Sequence, residues 1–195
     1  AISTAGDQDH TVIFTGAVTT GAVTGTIVID GDAGDATATL VQVGGNLTGV
    51  VTLDDNSGAV TLEMTGDSTT LGQTVNGVGD GEGILKLSGT GTTVSSAIGK
   101  TGTNSLAAID VNGTATFDGA SEATAYTVDA DTTFTGAVLA NTSFTVDTAG
   151  TDVTLSAASD LSLATVTLGT LTANGLLTTA DLVNTAGKVY LNVKD

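Results

Sequence analysis

Residues 24–47 read TGTIVIDGDAGDATATLVQVGGNL, and residues 48–71 read TGVVTLDDNSGAVTLEMTGDSTTL. Both segments are 24 residues long, both open on TG, both run through alternating aliphatic and β-branched residues into an Asp, and both close on Leu. Self-similarity at a period of a few tens of residues marks repeat architectures, in which each unit buries its apolar face only against its neighbours. A second echo joins residues 14–18 to residues 134–138, both FTGAV, 120 residues apart or five periods of 24. A unit of this length with two or three short strands suits one coil of a parallel β-solenoid, stacked on the next at ~4.8 Å.

The rest of the chain supports strands. Runs of four to eight residues that alternate apolar residues with Thr recur throughout: TVIF at 11–14, TIVID at 26–30, ATATLVQV at 36–43, VVTLD at 50–54 and ILKL at 84–87. They continue as TATF at 114–117, ATAYTV at 123–128, SFTVD at 143–147, DVTL at 152–155, LSLATVTL at 161–168 and KVYLNV at 188–193. Gly, Asp and Asn separate them, and Asn76-Gly77, Asn112-Gly113 and Asn174-Gly175 read as turns. Only residues 159–163 and 176–183 admit a helical turn. The expected fold is all-β, a parallel β-solenoid (β-helix) with coils of about 24 residues, forming one repeat domain over residues 1–195. A β-sandwich or jelly roll is the alternative, although such a domain more often carries a core Trp and Pro-bearing loops. A solenoid interior is narrow, which favours Val, Ile, Leu, Ala and Thr over aromatics, and the chain has only four Phe and two Tyr.

Composition sets further bounds. The 195 residues contain no Cys, Pro or Trp, and about a fifth are Thr. Four Lys and no Arg face 21 acidic residues, a net charge of −17. That surface repels nucleic-acid phosphates and anionic headgroups, so neither nucleic acid nor a membrane surface is an expected partner. No apolar run approaches the length of a spanning helix, so membrane insertion is not expected either. With 40% hydrophobic residues the chain is not of disordered composition. Only Glu63, Glu82 and Glu122 are Glu; the other acids are Asp, a turn-forming residue, which puts the charge at strand ends. The chain opens on AISTAG, as expected of a product of signal cleavage or of a fragment.

Residues 151–175, TDVTLSAASDLSLATVTLGTLTANG, resemble the degenerate repeats of filamentous haemagglutinins and autotransporter passengers. The shared pattern is D-(V/L)-x-L-x-A, matched by residues 152–157 and in part by 160–164. The wider Thr/Ala/Gly/Val/Asp text resembles bacterial S-layer and other β-strand-repeat surface proteins. The resemblance implies a secreted β-helical protein of the cell surface whose task is self-assembly or adhesion, and it carries no catalytic residue onto this sequence. The nonapeptide calcium repeat of repeats-in-toxin proteins is absent.

Enzyme chemistry finds little support. His10 is the sole His, so any Ser-His-Asp triad rests on it, and no G-x-S-x-G elbow occurs. Gly99-Lys100-Thr101 resembles the end of a P-loop, but Val94 stands where the first Gly is required. The glycine-rich run 77–83 carries acid and would repel a pyrophosphate. Paired carboxylates such as Asp54-Asp55 or Asp129 and Asp131 could serve glycoside hydrolysis only if brought to a fixed separation beside a sugar platform. The sequons at Asn46, Asn112 and Asn141 are as many as chance gives in a chain this rich in Thr and Ser. Calcium is the expected cofactor, because hard cations take carboxylate and turn-carbonyl oxygens. The candidate ligands are Asp30, Asp32 and Asp35, then Asp54 and Asp55, then Asp80 and Glu82. Thr-x-Thr pairs at 37 and 39, 165 and 167, and 170 and 172 hint at an ice-binding ladder, but they share no fixed spacing.

The expected function is that of a non-enzymatic extracellular structural protein that assembles into a surface layer or filament with calcium. Its expected partner is itself, through strand exchange at residues 1–23 and 188–195. The alternative is an adhesin that binds surface polysaccharide or a host or other cell surface.

Overall fold

The computed structural model describes residues 2–3, 10–19, 26–31, 38–55, 58–99 and 103–192. Among them the chain is all strand and turn, with no helix. In chain order the first rungs are β1 (Ile2–Ser3), β2 (His10–Phe14) and β3 (Val18–Thr19), then β4 (Thr26–Asp30), β5 (Thr39–Val43) and β6 (Leu47–Thr48). Next come β7 (Val50–Asp54), β8 (Val60–Met64) and β9 (Thr70–Leu71), then β10 (Val75–Gly77), β11 (Ile84–Leu87) and β12 (Thr92–Val94). From there each rung has two strands: β13 (Leu106–Val111) and β14 (Ala115–Phe117), β15 (Ser121–Val128) and β16 (Thr132–Phe134), β17 (Val138–Val146) and β18 (Asp152–Leu155). The last are β19 (Ser159–Val166) and β20 (Thr170–Ala173), then β21 (Leu177–Asn184) and β22 (Lys188–Leu191). The two stretches that admitted a helical turn lie within or against β19 and β21. Their apolar residues serve strand columns, and neighbouring rungs satisfy their backbone groups.

All pairings are parallel, each strand with its counterpart one coil away, which makes a parallel β-solenoid. The walls are a nine-stranded front sheet (β2-β5-β8-β11-β13-β15-β17-β19-β21), a nine-stranded back sheet (β3-β6-β9-β12-β14-β16-β18-β20-β22) and a four-stranded side sheet (β1-β4-β7-β10). The 24-residue spacing holds in the head half, where Thr26 pairs with Val50 and Val51 with Val75. It shortens to 17 where Ala115 pairs with Thr132, and stands at 18 where Thr170 pairs with Lys188. The cause is visible at the side–front corner. Head coils carry a loop there, as at residues 78–83. Beyond the bridges Val75–Ile98–Ser121 the side sheet merges with the front sheet into one long strand, and the corner survives only as register shifts near Thr124 in β15 and before Phe144 in β17.

This merger changes the meaning of the FTGAV echo. Phe14 ends β2 on the front sheet, whereas Phe134 ends β16 on the back sheet. The pentapeptide turns a corner both times, but opposite corners, so the two copies are not equivalent positions of one repeat. Asn112-Gly113 and Asn174-Gly175 fall between strands as expected, but Asn76-Gly77 lies inside β10. There the following loop folds back so closely that a Cβ on Gly77 would lie 2.6 Å from the Gly79 carbonyl oxygen.

The core is built of inward columns, one residue per rung. Leu47, Leu71, Val94, Phe117, Phe134, Leu155, Ala173 and Leu191 follow one another on the back sheet. Val41, Leu62, Leu85, Ile109, Tyr126, Phe144, Ala164 and Leu182 do so on the front. Each fully buried side chain of this size contributes about 1.5–3 kcal/mol. Contrary to the expectation from a narrow interior, Phe117, Tyr126, Phe134 and Phe144 are all fully buried. The shortened coils offer fewer inward positions, and larger side chains fill the space. Phe117 and Phe134 stack with ring centroids 4.7 Å apart, and Tyr126 lies 5.4 Å from Phe144.

Candidate functional site

The three acidic clusters singled out as calcium ligands belong to one corner, where the side sheet turns into the front sheet. Asp30 and Asp54 end β4 and β7 and pair in register. Asp55 Oδ1 accepts a hydrogen bond from Val60 N at 3.0 Å, Asp80 Oδ1 from Ser105 N at 3.2 Å, and Glu82 Oε2 from Gly79 N at 2.8 Å. These carboxylates therefore fasten their loops by capping backbone N–H groups. Asp32 and Asp35 lie outside the described residues. Among the described residues no three His, Cys, Asp or Glu gather within reach of one metal ion. His10 starts β2, and Asp129 and Asp131 flank the turn that follows β15.

The structure adds two constellations that the sequence did not reveal. On the outer front sheet Gln42, Glu63, Lys86 and Asp110 occupy one column. Glu63 accepts hydrogen bonds from Gln42 Nε2 at 2.7 Å and Ser88 Oγ at 2.5 Å, with Lys86 Nζ at 3.7 Å. Burial is the largest single influence and opposes ionisation, but these partners together outweigh it and hold the Glu63 carboxyl below its usual range. At the front–back corner, Asp129 faces Asp147 of the next coil. Partial burial, then the hydrogen bond and charge of Asp147, then the charge of Asp110 push the Asp129 carboxyl up, while the Thr148 hydroxyl bonded at 3.0 Å pulls it down. Burial also drives the Tyr126 phenol far above its usual range.

The outer face of the back sheet is the most uniform surface of the molecule. Register places Thr70, Thr93, Thr116, Thr133, Thr154 and Thr172 in one unbroken column, followed by Tyr190 on the last rung. Strand alternation puts a second outward column two residues away on each side. One holds Gly91, Thr114, Asp131, Asp152, Thr170 and Lys188. The other holds Ser95, Asp118, Thr135, Ser156, Asn174 and Asn192, tied along the axis by bonds such as Asn192 Nδ2 to Asn174 Oδ1 at 2.6 Å. Between the Thr column and the Asp131–Asp152 column runs an open trough of about 350 Å³. Asp152 N donates to Asp131 Oδ1 at 2.8 Å across its edge. The face offers hydroxyl donors and acceptors at the strand spacing of ~4.8 Å.

No protein-family model, curated protein or solved structure matches this chain.

The Thr column escaped the sequence reading because its members are separated by 23, 23, 17, 21 and 18 residues along the chain. The Thr-x-Thr pairs did not expose it either. Of their members only Thr172 stands in the column, with Thr170 beside it.

Proposed function

We propose that this chain is an extracellular structural protein whose copies stack coil on coil into a filament or surface layer. The observation that carries this reading is the tail of the solenoid. There β21 and β22 are the last strands of the front and back sheets, and Leu176, Tyr190 and Leu191 are 74%, 52% and 54% exposed. Strand edges with apolar side chains template further pairing unless covered. A cleft of about 350 Å³ between Ala173, Leu177 and Leu191 lies at the same end. The net charge of −17 opposes association, so calcium or salt is needed to screen it. Sedimentation and electron microscopy of the full chain, with and without calcium and with added salt, test the reading. Polymers are expected, and the Val189→Asp/Leu191→Asp variant stays monomeric. A wild-type monomer at high concentration in both calcium and salt refutes stacking. An adhesin or binding module is the second reading, favoured by the hydroxyl-lined outer face of the back sheet.

A further inference from the structure

We infer that the outer face of the back sheet binds an uncharged, extended polysaccharide strand laid along the solenoid axis. This rests on the binding-module reading and is independent of stacking at the tail. Four features converge on such a ligand. First, the trough has the right form: it is open along the axis, walled by Thr116, Thr133 and Thr154 on one side and by Thr114, Asp131 and Asp152 on the other. Second, its groups match in chemistry and repeat. A glycan presents hydroxyls that both donate and accept, ring after ring, and one ring of an extended chain is comparable in length with the ~4.8 Å from rung to rung. The carboxylates of Asp118, Asp131 and Asp152 only accept, and hydrogen bonds to a charged acceptor are the stronger kind. Third, Tyr190 is 52% exposed at the tail end of the Thr column, an aromatic ring in line with the trough. Fourth, charge selects against other polymers. Lys188 is the one cation on this face among the described residues, so sulfated, uronic or phosphorylated chains are repelled.

A Thr-rich strand surface that is merely solvated would be alike on both sheets. It is not: the equivalent outer column of the front sheet runs Ile13, Gln42, Glu63, Lys86, Asp110 before reaching Thr127, Thr145 and Thr165. An ice lattice also presents repeating hydroxyls, but a carboxylate-flanked trough is neither flat nor uncharged, which disfavours it.

The test is retention of the full chain on insoluble cellulose and chitin, with alginate as the acidic probe. The variants are Thr116→Val/Thr133→Val/Thr154→Val, which removes hydroxyls but keeps shape and β-branching, and Tyr190→Ala. Thr127→Val/Thr145→Val/Thr165→Val, on the front sheet, is the control. Wild type and control are expected to be retained on a neutral glycan with affinities within twofold of each other, the back-sheet triple variant to bind at least tenfold more weakly, and alginate to retain none of them. Should the triple variant melt early, single Thr133→Val and Tyr190→Ala carry the comparison. The inference is overturned if neither neutral glycan retains the wild type, if the back-sheet changes leave retention unaltered, if alginate retains it equally, or if the face inhibits ice recrystallisation without holding glycan. None of these outcomes bears on the sedimentation of the unmodified chain, so failure here is distinguishable from failure of stacking.

Discussion

Replacing Phe134 with Ala probes the point at which the coil contracts. The side chain is fully buried, stacked on Phe117 with centroids 4.7 Å apart and set edge-on to Tyr126 at 6.1 Å and Phe144 at 5.9 Å. Removing it forfeits a transfer term and leaves a cavity, together about 3–5 kcal/mol for Phe→Ala in cores. The aromatic pairings add about 0.5–1.5 kcal/mol each beyond area. The three neighbouring rings sit on separate strands held by rung hydrogen bonds, so the site collapses poorly, and the upper part of that range, about 4–5 kcal/mol, is expected. Against a whole-domain stability of about 5–15 kcal/mol this brings the tail half close to unfolding. Guanidinium unfolding followed by far-UV circular dichroism measures it. Because repeat arrays are held by nearest-neighbour terms, a separate early transition of the tail coils is the expected form of the loss. Phe134→Leu, which keeps most of the volume, loses less than half as much. A loss below about 1 kcal/mol for Phe134→Ala would refute the aromatic filling of the short coils and the register that places it there.

Three further outcomes are expected. At the front–back corner a Cβ on Gly89 would stand 2.0 Å from the Gly66 carbonyl oxygen, and one on Gly113 would stand 2.2 Å from that of Gly89, so Gly89→Ala forces the rungs apart and costs about 2 kcal/mol or more in thermal or denaturant unfolding. Asp129 has a folded-state pKa raised above its unfolded value, so its contribution is favourable at low pH and is lost as pH rises through the folded value. Asp129→Asn, whose amide imitates the protonated acid, therefore raises the melting midpoint at neutral pH by a gain under about 1 kcal/mol, and the gain vanishes below the ordinary Asp range; a gain that persists in acid contradicts the assignment. If the acidic corner at Asp30, Asp54 and Asp80 takes calcium, melting in calcium exceeds melting in EDTA at matched ionic strength, and equal midpoints leave those carboxylates with only the loop-fastening role they already show.

The fold was legible where sequence spacing and backbone register coincide. In residues 24–71 both advance by 24, so TIVID over VVTLD reads directly as stacked strands, and structure pairs Thr26–Asp30 with Val50–Asp54 residue for residue. The alternation of TLVQV at 39–43 is likewise the alternation of buried and half-buried side chains that the strand shows. The aromatic interior was illegible because it depends on the side–front corner being lost after Ser121. Nothing in the text of β15 announces that loss, since Ser121–Val128 reads like any Thr-bearing strand. The metal candidates were legible as turn residues but not as a site. Each carboxylate of Asp55, Asp80 and Glu82 is engaged by a backbone N–H of its own or an adjacent loop, an option open to any Asp or Glu near a turn.

Outward columns are harder to read than inward ones, for a physical reason. An inward position must be apolar whatever the coil length, so hydrophobic residues mark it locally. An outward position is defined only by the hydrogen-bonded register to the rung before, and each change in loop length shifts its partner in the sequence without moving it in space. Thr116 and Thr133 are 17 residues apart and Thr133 and Thr154 are 21 apart, yet each pair sits on adjacent rungs. A column that stays Thr through such changes has been aligned by the structure rather than by a copied repeat. The front sheet, with the same rungs and the same loop changes, shows a mixed outer column. Preservation of hydroxyls on one wall alone is therefore the feature that a purely structural rod does not need, and it directs the search for a ligand to the back sheet rather than to the acidic corner.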